Sequence, residues 1–194
     1  MRQACIERKT GETDIRLSVN LDGQGDGTIT TGIGFFDHML DLFSRHALVD
    51  LDVKCFGDVY VDSHHSVEDV GIVLGQAIGE ALGDKVGITR YGTFYVPMDE
   101  ALVMVSLDIS NRPYLVCDLT LPNPVIGNFE TEMVEEFFRA VCQNAGITLH
   151  IKMIHGKNTH HIIEAAFKAF GRALRIAVAK DPRVKGVPST KGML

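Results

Sequence analysis

The stretch Asp62-Ser63-His64-His65-Ser66-Val67-Glu68 is matched in the second half of the chain by Asn158-Thr159-His160-His161-Ile162-Ile163-Glu164. Two copies of His-His-x-x-Glu in 194 residues point to an internal duplication rather than to chance. Each copy opens a long amphipathic segment. After the first, Val67, Val70, Leu74 and Ile78 recur at helical spacing; after the second, Ile163, Phe167, Phe170 and Leu174 do.

The segments preceding the motifs also correspond. Glu12–Val19 alternates Ile15, Leu17 and Val19 with polar residues, and Glu100–Leu107 reads as its counterpart strand. Each passes a turn, at Gly23–Gly27 or Asn111–Pro113, into a second strand, Gly27–Thr30 or Tyr114–Cys117. A helix follows in each half, Phe36–Arg45 and Thr131–Cys142, and then a strand, Val49–Val53 and Ile147–Ile151. The order strand, strand, helix, strand, helix therefore occurs twice. Helices with one apolar stripe and sheets with one apolar face must cover each other. The expected fold is α+β, an internally duplicated half-domain with a helical layer packed between two mixed β-sheets. No linker separates the halves, so residues 1–194 are expected to form a single domain of two repeats, about 1–90 and 91–194.

Composition narrows the function. Apolar residues make up 45% and charged residues 23%, as in ordinary globular proteins. A net charge of −6 gives no electrostatic reason to expect nucleic-acid binding. No apolar run approaches the roughly 20 residues of a membrane span. The beginning, Met1–Glu7, lacks the apolar core of a signal peptide, so a cytoplasmic location is expected. Cys5, Cys55, Cys117 and Cys142 lie far apart and suit buried small hydrophobes better than a thiolate zinc site. Metal chemistry must come from histidine and carboxylate.

On a helix, residues four apart share a face, so His64 with Glu68, and His160 with Glu164, can approach one ion. Adjacent residues diverge by about 100°. His65 and His161 therefore point away from the ion served by their neighbours, and a side-by-side pair suits two metals better than one. His38, in Phe36–Leu40, and Glu136, near the matching place of the second half, are further donors. Imidazole with carboxylate suits Mn²⁺, with Fe²⁺ or Zn²⁺ as alternatives. A lone histidine at a helix start is more often a surface or core residue than a ligand; it is the duplication that favours the metal. His46, His150 and His155 have weaker claims.

At these residues the chain resembles the imidazoleglycerol-phosphate dehydratases, enzymes of histidine biosynthesis. The resemblance rests on Phe36–Leu40, Asp62–Asp69, Arg90-Tyr91-Gly92, Pro97–Glu100, Ser110–Tyr114, Gly156–Glu164 and Pro188–Gly192, and spans nearly the full length. It implies removal of water from D-erythro-imidazole-glycerol phosphate to give imidazole-acetol phosphate, with two Mn²⁺ per active site. It also implies trimers assembled into a cubic 24-subunit particle whose metal sites are completed at subunit contacts.

Carried over position by position, the implied metal ligands are His38, His64, His65, Glu68, His160, His161 and Glu164. Glu136 stands where the family pattern often has histidine, and it can still bind Mn²⁺ through oxygen. Glu12 is the first candidate for the proton-abstracting base, with Glu68 or Glu164 as alternative shuttles. Arg90, Arg112, Lys168, Ser189, Thr190 and Lys191 match positions that contact the substrate phosphate.

The chemistry is coherent. The proton to be removed sits on a carbon with no adjacent carbonyl. The imidazole ring can be the electron sink if two cations hold it as imidazolate, leading through a diazafulvene to an enol and then the ketone. Two other readings compete: a two-metal hydrolase, and a metal-storage or metal-assembled shell with no turnover.

Overall fold

In the computed structural model, which describes residues 1–194, the first half runs β1 (Gln3–Lys9), β2 (Thr13–Asn20), β3 (Ile29–Thr30), α1 (Gly34–Ala47), β4 (Asp50–Gly57) and α2 (His64–Leu82). The second half runs β5 (Tyr91–Met98), β6 (Ala101–Asp108), β7 (Tyr114–Asp118), a small hairpin of β8 (Val125–Ile126) and β9 (Phe129–Glu130), α3 (Met133–Ala145), β10 (Thr148–His155) and α4 (Thr159–Val178). The alternation read in the sequence becomes inward and outward faces: Ile15, Leu17 and Val19 are buried while Asp14 and Arg16 face solvent.

The two sheets have the same connectivity. The first orders its strands β1-β2-β4-β3 and the second β5-β6-β10-β7. In each, the first three neighbours pair antiparallel and the last pair is parallel. This is the duplicated α+β half-domain expected from the paired motifs. Each half opens with a strand that the sequence pattern did not reveal. β1 fully buries only Ala4, and β5 carries Gly92 and Pro97; both lie at a sheet edge, where alternation is weak and proline is tolerated.

The helices fill the space between the sheets. α2 packs on β1 and β2 and α4 on β5 and β6, so each long helix covers the sheet of its own half. The short helices cross over, α3 lying against α2 and α1 against α4. Glycines at equivalent places permit the close crossing. A Cβ on Gly75 would sit 2.7 Å from the Val141 carbonyl oxygen, and one on Gly171 2.8 Å from that of Phe43. Phe43 stacks on Phe170 and Phe137 on Phe167, with ring centroids 5.2 and 5.3 Å apart. The result is one contiguous core of 52 buried residues. No helix is long and apolar enough to cross a membrane.

Candidate active site

The crossing of α1 over α4 decides where His38 goes. It joins the second half's motif, not that of its own half. His38 Nε2 lies 3.6 Å from Glu164 Oε2, and His160 Nε2 lies 3.1 Å from the same oxygen. The three donor atoms fall within 4.8 Å of one another and can hold a metal ion. Glu164 is only 6% exposed. Burial pushes its carboxyl up, but the Lys168 ammonium on its other oxygen, together with His160, outweighs burial and keeps it below the ordinary carboxylate range. The helix start is set by Asn158, whose side chain accepts the His161 backbone N–H at 3.3 Å.

In the first half His64 Nε2 lies 3.5 Å from Glu68 Oε2, one turn along α2. The adjacent histidines diverge as helical geometry requires: the His64 and His65 rings stand 69° apart and those of His160 and His161 80° apart. The second histidine of each pair is held by a carboxylate on Nδ1. Asp58 lies 3.0 Å from Nδ1 of His65, and Glu100 lies 2.7 Å from Nδ1 of His161. A carboxylate there fixes Nδ1 as the N–H donor and leaves Nε2 to ligate. The same contacts raise the pKa of both histidines. Glu100 is drawn down to about 2 by His161 and by the Asn158 and Lys157 amides. Facing Nε2 are Glu12 at 3.6 Å from His65 and Asp99 at 3.7 Å from His161. Glu12 and Glu100 thus differ in role despite their equivalent places: the first is a half-exposed carboxylate before a free ring nitrogen, the second is clamped.

Glu136 lies on α3, which packs against α2, but its carboxylate pairs with Arg139 at 3.3 Å rather than with a histidine. With Glu130, Glu132 and Glu135 it lines a cavity of about 570 Å³.

The cations form two groups. Arg90 grips Asp108 at 2.7 and 3.1 Å, and Arg112 reaches the same carboxylate at 3.4 Å. Arg90 also donates to the carbonyl of Pro188, the residue before Ser189, Thr190 and Lys191, at 2.7 Å. Two guanidiniums sharing one carboxylate leave a surplus positive charge, suited to an anion. Lys168 stands apart, on Glu164. The residues that sequence reading missed are Asp58 and Asp99: they lie in loops, where no periodicity ties them to the histidines.

The fold and site define a class of duplicated α+β proteins that gather His and Glu donors able to hold a metal ion. A family model described as imidazoleglycerol-phosphate dehydratase matches residues 31–174. An imidazoleglycerol-phosphate dehydratase of Acetivibrio thermocellus is 67% identical over 193 residues, covering 100% of this chain and 99% of that protein. One from Desulforamulus reducens is 62% identical, covering 100% and 98%. The Staphylococcus aureus enzyme structure superposes with a TM-score of 0.84 at 47% identity, covering 92% of this chain and 99% of that one. The Pyrococcus furiosus enzyme, solved in complex with (S)-C348, gives 0.84 at 39% identity, covering 97% and 100%. The chain belongs to the imidazoleglycerol-phosphate dehydratase family; it is a hydro-lyase acting on an imidazole substrate in histidine biosynthesis.

Proposed function

We propose that the chain dehydrates D-erythro-imidazole-glycerol phosphate to imidazole-acetol phosphate with two Mn²⁺ ions per site. The observation that carries this is the convergence of His38, His160 and Glu164 from two different helices. Imidazole nitrogen and carboxylate oxygen are donors that Mn²⁺ accepts, so the residues fit the ion. His38, His160 and Glu164 would hold one ion, and His64 with Glu68 another. His65, His161 and Glu136 would complete the ligands. The bound ions would supply Lewis acidity that favours a negatively charged imidazole ring.

The protein's own groups do the rest. Electrons of the ring expel the hydroxyl of the glycerol carbon beside it, and that hydroxyl leaves as water with a proton. Glu12 takes the proton from the next carbon, which keeps its own hydroxyl. The C–H electron pair forms the carbon–carbon double bond of an enol as the ring recovers its electrons, and the enol becomes the ketone. Glu68 or Glu164 can relay protons. Arg90, Arg112, Lys168, Ser189, Thr190 and Lys191 hold the phosphate. We read residues 1–90 and 91–194 as repeats of one domain, working in the cytoplasm as trimers within a 24-subunit particle, with metal sites shared between copies.

The test is to supply the Mn²⁺-loaded protein with imidazole-glycerol phosphate. An enolisable ketone absorbing in alkali, with no free phosphate, is expected. Free phosphate would instead mark a hydrolase, and metal-driven assembly without turnover a storage shell.

A further inference from the structure

We propose that Arg8, Thr13 and Asp69 form a positioning triad, Thr13 and Asp69 buried and Arg8 partly so, that fixes the backbone of Glu12 against the second turn of α2. The proposal rests on the reading of Glu12 as the base.

Asp69 follows Glu68 on α2 and is 8% exposed. Its Oδ2 accepts from Thr13 Oγ1 at 2.5 Å and meets Arg8 Nη1 at 2.5 Å. Thr13, itself 3% exposed, directly follows Glu12. The turn before it is also tied: Thr10 Oγ1 accepts the backbone N–H of Glu12 at 3.1 Å and of Thr13 at 3.0 Å. The Glu12 carbonyl accepts from the Asp58 N–H at 3.2 Å, and Asp58 holds His65. The backbone of Glu12 is thus fixed on two sides while its half-exposed carboxylate faces His65 Nε2 at 3.6 Å.

The duplication supplies an internal control. Arg8 pairs with Ile15 as Val96 pairs with Val103, so Val96 takes the place of Arg8. Ala101 opens β6 as Thr13 opens β2, and Ala165 follows Glu164 as Asp69 follows Glu68. All three second-half residues are buried and apolar, at 9%, 1% and 0% exposure. The same architecture therefore packs without any ion at these places. A buried ion pair seldom adds stability over well-packed apolar residues. Its retention only in the half that carries Glu12 points to placement of that residue. In the other half, Glu100 needs no such support because its own carboxylate is clamped by His161 and two amides.

The test transplants the second-half set into the first: Arg8→Val, Thr13→Ala and Asp69→Ala together, in the Mn²⁺-loaded protein. We expect unchanged bound metal, KM within about twofold, and kcat lower by about 100-fold, the scale of a misplaced reacting group. In a Glu12→Gln background the same set should lower the residual rate no further, because both changes remove one function. An unchanged kcat, or losses that simply multiply with Glu12→Gln, would overturn the triad. If Glu12→Gln alone keeps the full rate, the base assignment fails, whatever the triad does to kcat. Thr13→Val and Thr13→Ser supply the same readout should the triple variant fold poorly: the first should lose rate and the second, keeping the hydroxyl, should retain it. Equal rates in these two would overturn the proposal.

Discussion

At the scale of single residues, the chemistry depends on which nitrogen each histidine presents. Glu100 sets this for His161 by holding Nδ1 at 2.7 Å. Glu100→Gln keeps the size but removes the charge that fixes the tautomer. Metal affinity should fall by roughly 10–100-fold, the range for loss of such an outer partner, with the fold unchanged; calorimetric titration with Mn²⁺ would show it. Asp50 does comparable work for a turn. Its Oδ1 accepts from the amides of Gln24, Gly25 and Asp26 at 2.8–3.2 Å, and these bonds hold its carboxyl below the ordinary 3.8. A depressed carboxylate stabilises above its unfolded pKa and loses that contribution as pH falls through the folded one. Asp50→Asn should therefore lower the urea midpoint at neutral pH by a cost of about 1 kcal/mol. The gap from the parent protein should close as pH falls below 3.8. A gap that widened in acid would refute this role.

At the scale of elements, the helix crossings bring His38 to the opposite half's motif, and the matched glycines make them possible. Gly75→Ala and Gly171→Ala add a methyl to backbone contacts of 2.7–2.8 Å. Alanine favours an isolated helix, yet overpacking should prevail, and each variant should lose about 1–3 kcal/mol. Thermal midpoints would decide, and a rise in either would show that the crossing has slack. The helices and inner strands were legible in the sequence because burial on one face writes a period, as in Ile15, Leu17 and Val19 or Val67, Val70 and Leu74. β1 and β5 were not: β1 fully buries only Ala4 and β5 is broken by Gly92 and Pro97, so neither writes a clear period, whereas the other two edge strands, β3 and β7, were read after their turns. The His-x-x-x-Glu faces were legible for the same periodic reason. The joining of His38 to Glu164 was not, because it depends on a crossing between halves that no local spacing encodes. Asp58, Asp99 and Asp69 escaped reading because the first two lie in loops and the third on the buried side of a motif already explained by its neighbour.

At the scale of the whole molecule, the duplication yields two unequal donor groups. Three donors converge at His38, His160 and Glu164, while His64 and Glu68 make only a pair. Mn²⁺ favours about six ligands, so neither group alone is sufficient. His65 and His161 diverge from His64 and His160, each with Nδ1 already fixed by a carboxylate, and so are prepared to ligate through Nε2 away from their own helix's ion. If that ion is shared with another copy, as we propose, metal binding and assembly are thermodynamically linked, and each must strengthen the other. Removing the metal with a chelator should then shift the protein toward smaller species at low protein concentration, and Mn²⁺ should restore the larger one. His65→Ala should weaken both metal binding and assembly, whereas Lys191→Ala, at the proposed phosphate contact, should raise KM and leave assembly intact. Light scattering on the metal-free and reloaded protein would read this directly. A particle whose mass ignores complete metal loss would mean that the copies meet through other surfaces and that each chain must find its missing ligands in water or substrate.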